Sequence, residues 1–145
     1  MCIDLHILDD RRNLVDAANF VSLASLLTFR ILDAPQATDL SPLIVHYLPI
    51  EITFAFIADG NTLVIDPSHF KEAVMERRMI ATLNANGDIC FVQNDGGKCV
   101  TKSVVMLYLL IIASVKVVDI MSIIKDAFEL NNSERTTIYS FSRVL

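Results

Sequence analysis

Glycine and proline are scarce, four of each in 145 residues, and that scarcity excludes a low-complexity or linker-like chain. Cysteine is scarcer still. Cys2, Cys90 and Cys99 are odd in number and contain no C-x-x-C, so neither a disulfide framework nor a zinc knuckle is indicated and a reducing compartment is the simple reading. Positive charge is short as well: 12 Lys and Arg against 17 Asp and Glu leave a formal net charge of −5. Whole-chain electrostatics therefore give no help with a polyanion, and any nucleic-acid contact needs a local basic patch. The N-terminus, MCIDLHILDD, carries acids almost at once and lacks a basic stretch ahead of an apolar core, unlike a secretory signal. No repeat of solenoid length is visible.

What is abundant is apolar surface. Hydrophobic residues make up 53% of the chain, above the usual soluble share. That is enough for one compact domain, or one small domain and a piece of another, with surface left over for a partner. The run VVMLYLLIIASV, residues 104–115, is about a dozen residues where a membrane span needs about 20. Lys116 and Asp119 follow directly, so a buried or interface helix is expected and no membrane.

Periodicity divides the chain. IDLHIL, residues 3–8, alternates like a strand, and DDRRN breaks the pattern. Asn13 as N-cap, with Asp16 three residues on as a capping-box-like acid, opens a helix expected over 14–29. ILDAPQATDLS contains Pro35 and no clear period, which marks a linker. EITFAFI then reads as a strand, Asp59-Gly60-Asn61 as a turn and TLVIDP as the returning arm. Pro67 and Ser68 suit the start of a short helix, HFKEAVMER, with Phe70, Ala73 and Val74 turned inward. MIATLNA and DICFVQ form a second hairpin about Asn86-Gly87. After the glycine loop NDGGK, a long helix runs from Thr101 to Leu130 and ends at Asn131-Asn132, leaving a tail that is loosely held or adds a strand. The fold class is α+β, a mainly antiparallel sheet covered by helices.

Candidate chemistry is thin. His6, His46 and His69 are scattered, with no second ligand at metal-binding spacing, and local roles are the stronger reading. Residues 94–98, NDGGK, place backbone N–H groups before a helix as a phosphate cradle would, but without the G-x-x-x-x-G-K-[ST] spacing a simple turn is preferred. Cys90 reads as a small core residue in an alternating strand and Cys99 as a loop residue. Glu72 and Glu76, four apart, have the spacing of a carboxylate pair on one helix face. Lys71, Arg77 and Arg78 surround them, which favours a solvated, salt-bridged face. No catalytic residue, metal ligand or cofactor is assigned.

Taken in order, the segments resemble a known family. HYLPI, the DP-x-x-x-x-x-x-VM core from Asp66 to Met75 and IA-x-VKV are similar to the second domain of the RNase PH family. The likeness is to the RNase PH-like ring subunits of the exosome, in the non-catalytic branch that includes the PM/Scl autoantigen subunit and the archaeal partner of the catalytic subunit. LHILDDRRNLVDAANFVSLASLLTF resembles the last strand and helix of the first RNase PH domain. The resemblance implies a first-domain remnant at 1–33, a linker at 34–43, a second domain at 44–130 and a tail at 131–145. Most of a first domain normally precedes such a segment, so a fragment, a truncated product or an unusually reduced subunit is expected.

Active relatives place a catalytic aspartate just before the strand corresponding to MIATLN. Counting back from Gln93, that position falls at Arg78, or at Arg77 with the hairpin drawn one residue differently. A guanidinium stays charged and offers only donors, so neither arginine replaces a metal-binding carboxylate. The resemblance thus implies a non-catalytic structural subunit of an exosome-type ring in RNA processing and 3′-to-5′ degradation, in the nucleus, nucleolus included, and the cytoplasm. Its partners would be other RNase PH-like exosome subunits, and RNA through the assembled ring. Arg77, Arg78 and Lys98 are candidates for RNA-phosphate contact. Val104, Val105, Tyr108, Leu110 and Ile111 make the long helix apolar nearly all round, where relatives keep a polar face, and are the candidate interface. Two alternatives stay open: a phosphorolytic 3′–5′ exoribonuclease half-site completed by a partner, with Glu76 as the only nearby acid, or a degenerate fragment that self-associates as a homo-oligomer.

Overall fold

Alternating apolar residues between 50 and 95 form four strands of one antiparallel sheet. The computed structural model describes residues 2–11, 13–32, 40–58, 62–95 and 103–142. The element order is α1 (Leu14–Thr28), β1 (Arg30–Leu32), β2 (Leu40–Pro42), β3 (Ile50–Ile57), β4 (Thr62–Ile65), α2 (His69–Val74), β5 (Arg77–Leu83), β6 (Ile89–Asp95) and α3 (Ser103–Ser142). The sheet runs β4-β3-β5-β6, and β1 with β2 forms a separate ribbon. This is the expected α+β architecture, with both hairpins in place.

The core lies on one face of the sheet. Ile50, Ile52, Phe54 and Phe56 of β3 stand opposite Leu83, Ala81, Met79 and Arg77 of β5, so side chains of one parity share a face. All but Arg77 are buried, together with Leu23 of α1 and Leu109, Ala113, Val117 and Met121 of α3. The four α3 residues recur every fourth position and form one stripe down the helix. Thr53, Ala55, Ile80 and Thr82, on the reverse face, are buried as well.

α1 is held by a different device. β4 pairs β3 only from Phe54 onward, which leaves the β3 edge at Pro49, Glu51 and Thr53 without a described strand partner. Helical side chains fill that place. Asn19 Nδ2 donates to the Pro49 carbonyl (3.1 Å), and its Oδ1 accepts from the Glu51 N–H (3.2 Å). Asp16 accepts from the Thr53 N–H (3.1 Å) and the Thr53 hydroxyl (2.7 Å). Spaced three apart, Asp16 and Asn19 lie on the same face of α1 and act as a surrogate strand. Each ladder group left unpaired in a buried setting would cost about 1–3 kcal/mol.

Several expectations need correction. Residues 2–10 pair with no described strand, and Leu8 is 97% exposed. Alternation alone does not make a strand where no neighbour supplies the ladder. Asn13 does cap α1, its Oδ1 accepting from the Asp16 N–H (3.5 Å), but the Asp16 carboxylate turns to β3 instead of closing a capping box. The expected linker at 34–43 includes β2, registered antiparallel to β1 from Arg30↔Pro42 to Leu32↔Leu40. α2 stops at Val74, buries none of its residues and leaves Phe70 83% exposed; its first N–H, from His69, donates instead to the Arg11 carbonyl (3.3 Å). Cys90 is exposed, because β6 is an edge strand open on both faces. The hairpin between β5 and β6 is organised by Asn84, whose Oδ1 accepts from the N–H groups of Asn86 (3.0 Å) and Asp88 (2.9 Å); only Gly87 takes a positive φ, 86°. A two-residue turn at Asn86-Gly87 would need positive φ at both.

The largest correction concerns the tail. α3 does not end at Asn131 but continues to Ser142, about 60 Å of helix. Asparagine costs a helix interior only a few tenths of a kcal/mol, about what tertiary contacts routinely offset. Here Asn132 Oδ1 accepts from Arg30 Nη2 (2.7 Å), and the Arg30 guanidinium lies 5.8 Å from the Phe128 ring centroid. Arg30 also donates to the Leu27 carbonyl (3.1 Å) at the end of α1, so one side chain joins the two helices. The turn at Asp59-Gly60-Asn61 and the glycine loop at 96–100 lie outside the described residues.

Candidate functional site

VMERRM is where the short helix hands over to β5. Met75 is extended after α2, the Glu76 N–H donates to the Phe56 carbonyl (2.9 Å), and Arg77 opens the strand. Because Glu76 lies beyond the helix, it shares no helical face with Glu72, and the carboxylate-pair geometry is not formed.

Adjacent residues of a strand point to opposite faces, and that separates the two arginines. Arg77 stands opposite Phe56 on the core face, its guanidinium 5.0 Å from the Phe56 ring centroid. Arg78 stands opposite Asp95 on the reverse face and donates from Nη2 to its carboxylate at 3.3 Å. The two therefore do not converge on one phosphate. Arg78 already has its carboxylate, and a polyanion would compete with Asp95 for it. Lys98 lies outside the described residues. Among the described residues no three His, Cys, Asp or Glu side chains converge in a metal-binding group.

α3 carries the most distinctive surface. Opposite the buried stripe, Val104, Tyr108, Ile111, Val115 and Val118 are each more than half exposed. Their spacing alternates four and three, the seam that a second helix packs against. Three of the five expected interface residues, Val104, Tyr108 and Ile111, lie on this seam. Val105 is flanking at 38% exposure, and Leu110 is half-buried against the core. Val115 and Val118 were legible only by continuing the 3.5-residue period through Lys116.

The apolar run also continues further than a dozen residues: Val104–Ser133 is long and apolar enough to cross a membrane by length and composition. Its inner stripe is already packed on the sheet, and Lys116 pairs with Asp119 (3.8 Å) midway along it. Charges at that position are costly in lipid.

Residues 47–106 match the model of the 3′ exoribonuclease family, domain 2. That segment is an RNase PH second domain. It is 46% identical to exosome complex component RRP45A of Arabidopsis thaliana, over 93% of this chain and 48% of the relative. Human exosome complex component RRP45 is 33% identical over 92% of this chain and 33% of its own length. Exosome complex component Rrp42 of Pyrococcus furiosus is 36% identical over 91% of this chain and 50% of its own. The chain thus spans half or less of these RNase PH relatives. An archaeal exosome core subunit superposes with a TM-score of 0.60 at 24% identity, covering 71% of this chain and 41% of that one. A subunit of the Archaeoglobus fulgidus exosome with RNA bound to the active site gives 0.59 at 25% identity, covering 71% and 40%. The RNase PH second-domain fold expected from HYLPI, the Asp66–Met75 core and IA-x-VKV is present.

Proposed function

We propose that the chain is a structural, non-catalytic subunit, or part of one, of an exosome-type RNase PH ring acting in RNA processing and 3′-to-5′ degradation in the nucleus and cytoplasm. Its partners are other RNase PH-like subunits, and RNA meets it through the assembled ring. The observation that carries this reading is the exposed seam of α3 on an RNase PH second domain. Five apolar side chains at 3.5-residue spacing are the surface of a helix that expects a neighbour. The region before β5 supports the non-catalytic part. Where active relatives are expected to hold an aspartate, this chain holds arginines, one over Phe56 and one paired to Asp95. Arg77 and Lys98 remain the candidates for phosphate contact within the ring, Arg78 a weaker one.

The test is to mix the purified chain with an RNase PH-type exosome subunit and assay both assembly and phosphate-dependent release of nucleoside diphosphates from RNA. A stable complex is expected, with a rate no different when Glu76→Gln replaces the wild-type chain. Absence of any complex would remove the ring reading. Activity lost specifically on Glu76→Gln would replace it with the half-site reading.

A further inference from the structure

The end of β4 leaves a notch. Because β4 stops opposite Phe54, no described strand closes the space between α1, the open edge of β3 and the middle of α3. A cavity of about 330 Å³ remains, at the small end of the range for ligand pockets, roughly 300–1,000 Å³. Its walls are apolar, Phe20 and Ile52 among them. Among the described lining residues Asp16 and Glu51 carry carboxylates not paired to a described cation, Asp66 is engaged elsewhere, and the one ammonium, Lys116, is itself drawn to Asp119. That lining disfavours phosphate and RNA, and no metal-binding triad converges among the described residues.

Two lining residues hold buried polar atoms with no partner among the described residues. Asn13 is 3% exposed; its Oδ1 caps α1, and its Nδ2 donates to nothing. Glu51 Oε1 is buried and accepts from nothing. The Asp16 carboxylate, by contrast, is already used by Thr53. A buried donor and a buried acceptor left open in one apolar, acidic cavity describe the missing group: it brings positive charge with N–H donors, an oxygen acceptor beside them, and an apolar stem.

We propose that this notch binds an aliphatic primary amine with a neighbouring oxygen, its ammonium on Glu51, its oxygen on Asn13 and its stem against Phe20 and Ile52. Either a free amino alcohol or the amino end of a peptide carries this chemistry. The site is independent of ring assembly, since the α3 seam faces away from the core side that lines the notch.

Leucinol, leucinamide and isoamylamine share one stem and separate the requirements. Titrated into the 145-residue chain and followed by amide NMR, leucinol and leucinamide should give saturable shifts at Glu51 and Thr53. Isoamylamine, without the oxygen, should bind about tenfold more weakly, the loss of one hydrogen bond in a buried site. Leucine, with a carboxylate, should not bind. Tighter binding of leucinamide assigns the site to a peptide amino end, and tighter binding of leucinol to a free amino alcohol. Glu51→Gln should weaken both by about tenfold or more, the value of a charge-assisted bond. Asn13→Ser keeps an N-cap acceptor while removing Nδ2, so it should abolish the advantage over isoamylamine without unfolding α1. Overturning results are no saturable shift with either oxygen-bearing amine, an unchanged preference in Asn13→Ser, or a water satisfying Asn13 and Glu51 that the amines do not displace.

Discussion

Two helices lie against β3, and opposite chemistry holds them there. α3 offers Leu109, Ala113, Val117 and Met121 to the apolar face of the sheet, whereas α1 offers Asp16 and Asn19 to the backbone of its edge. Hydrophobic packing on a face is non-directional, while pairing with ladder groups fixes register. α1 therefore works as a strand in side-chain form, and α3 as a lid whose outer side is still unpacked.

The contrast is broken most severely from the α3 side. Leu109→Ala removes a fully buried side chain and should cost about 2–5 kcal/mol in urea unfolding, while Val115→Ala on the outer seam should stay within about 0.5 kcal/mol. Asp16→Ala should come next, at about 1–3 kcal/mol, because it strands the Thr53 N–H. Equal losses at Leu109 and Val115 would erase the distinction between the two sides of α3.

Acid titration sharpens the α1 side. Burial pushes the Asp16 carboxyl above its ordinary 3.8, against the Thr53 donors that lower it, and Asp66 adds to the rise. Glu51 is raised above 4.5, first by burial and then by Asp16, with Arg78 opposing. A carboxyl whose pKa is raised on folding loses its proton first in the unfolded chain. Its contribution to stability is complete below the ordinary value and is lost as pH climbs through the raised one. Stability of the wild type relative to Glu51→Gln should therefore fall as pH rises from about 4.5 upward, measured as paired urea midpoints. A difference independent of pH would contradict the burial of Glu51. The smallest effect belongs to the exposed rim. Removing the Arg78–Asp95 pair by Asp95→Ala should cost about 0–1 kcal/mol and leave the fold's urea midpoint nearly unchanged.

Much of this fold was readable from pattern. β3, β5 and β6 follow from alternation and turn residues, and the family from a few short motifs in order. What escaped was whatever depends on a neighbour distant in sequence. Residues 3–8 alternate but lack a described strand to pair with, while β1 and β2 are too short to show a period and declare themselves only by pairing. Asn131 and Asn132 read as a stop until Arg30, a hundred residues earlier, occupies Asn132. The opposed directions of Arg77 and Arg78 follow from strand parity once the start of β5 is fixed, which a helix drawn through VMER had hidden. Asp16 was visible as a capping residue, but nothing local announced Thr53 as its partner.

The outer seam of α3 is the proposed assembly surface. Its most direct test is sedimentation of the chain carrying Ile111→Asp and Val115→Asp with an RNase PH-type exosome subunit, alongside the wild type. The wild type should enter a complex, while the double variant should sediment alone with an unchanged urea midpoint. A double variant that assembles as fully as the wild type would contradict it.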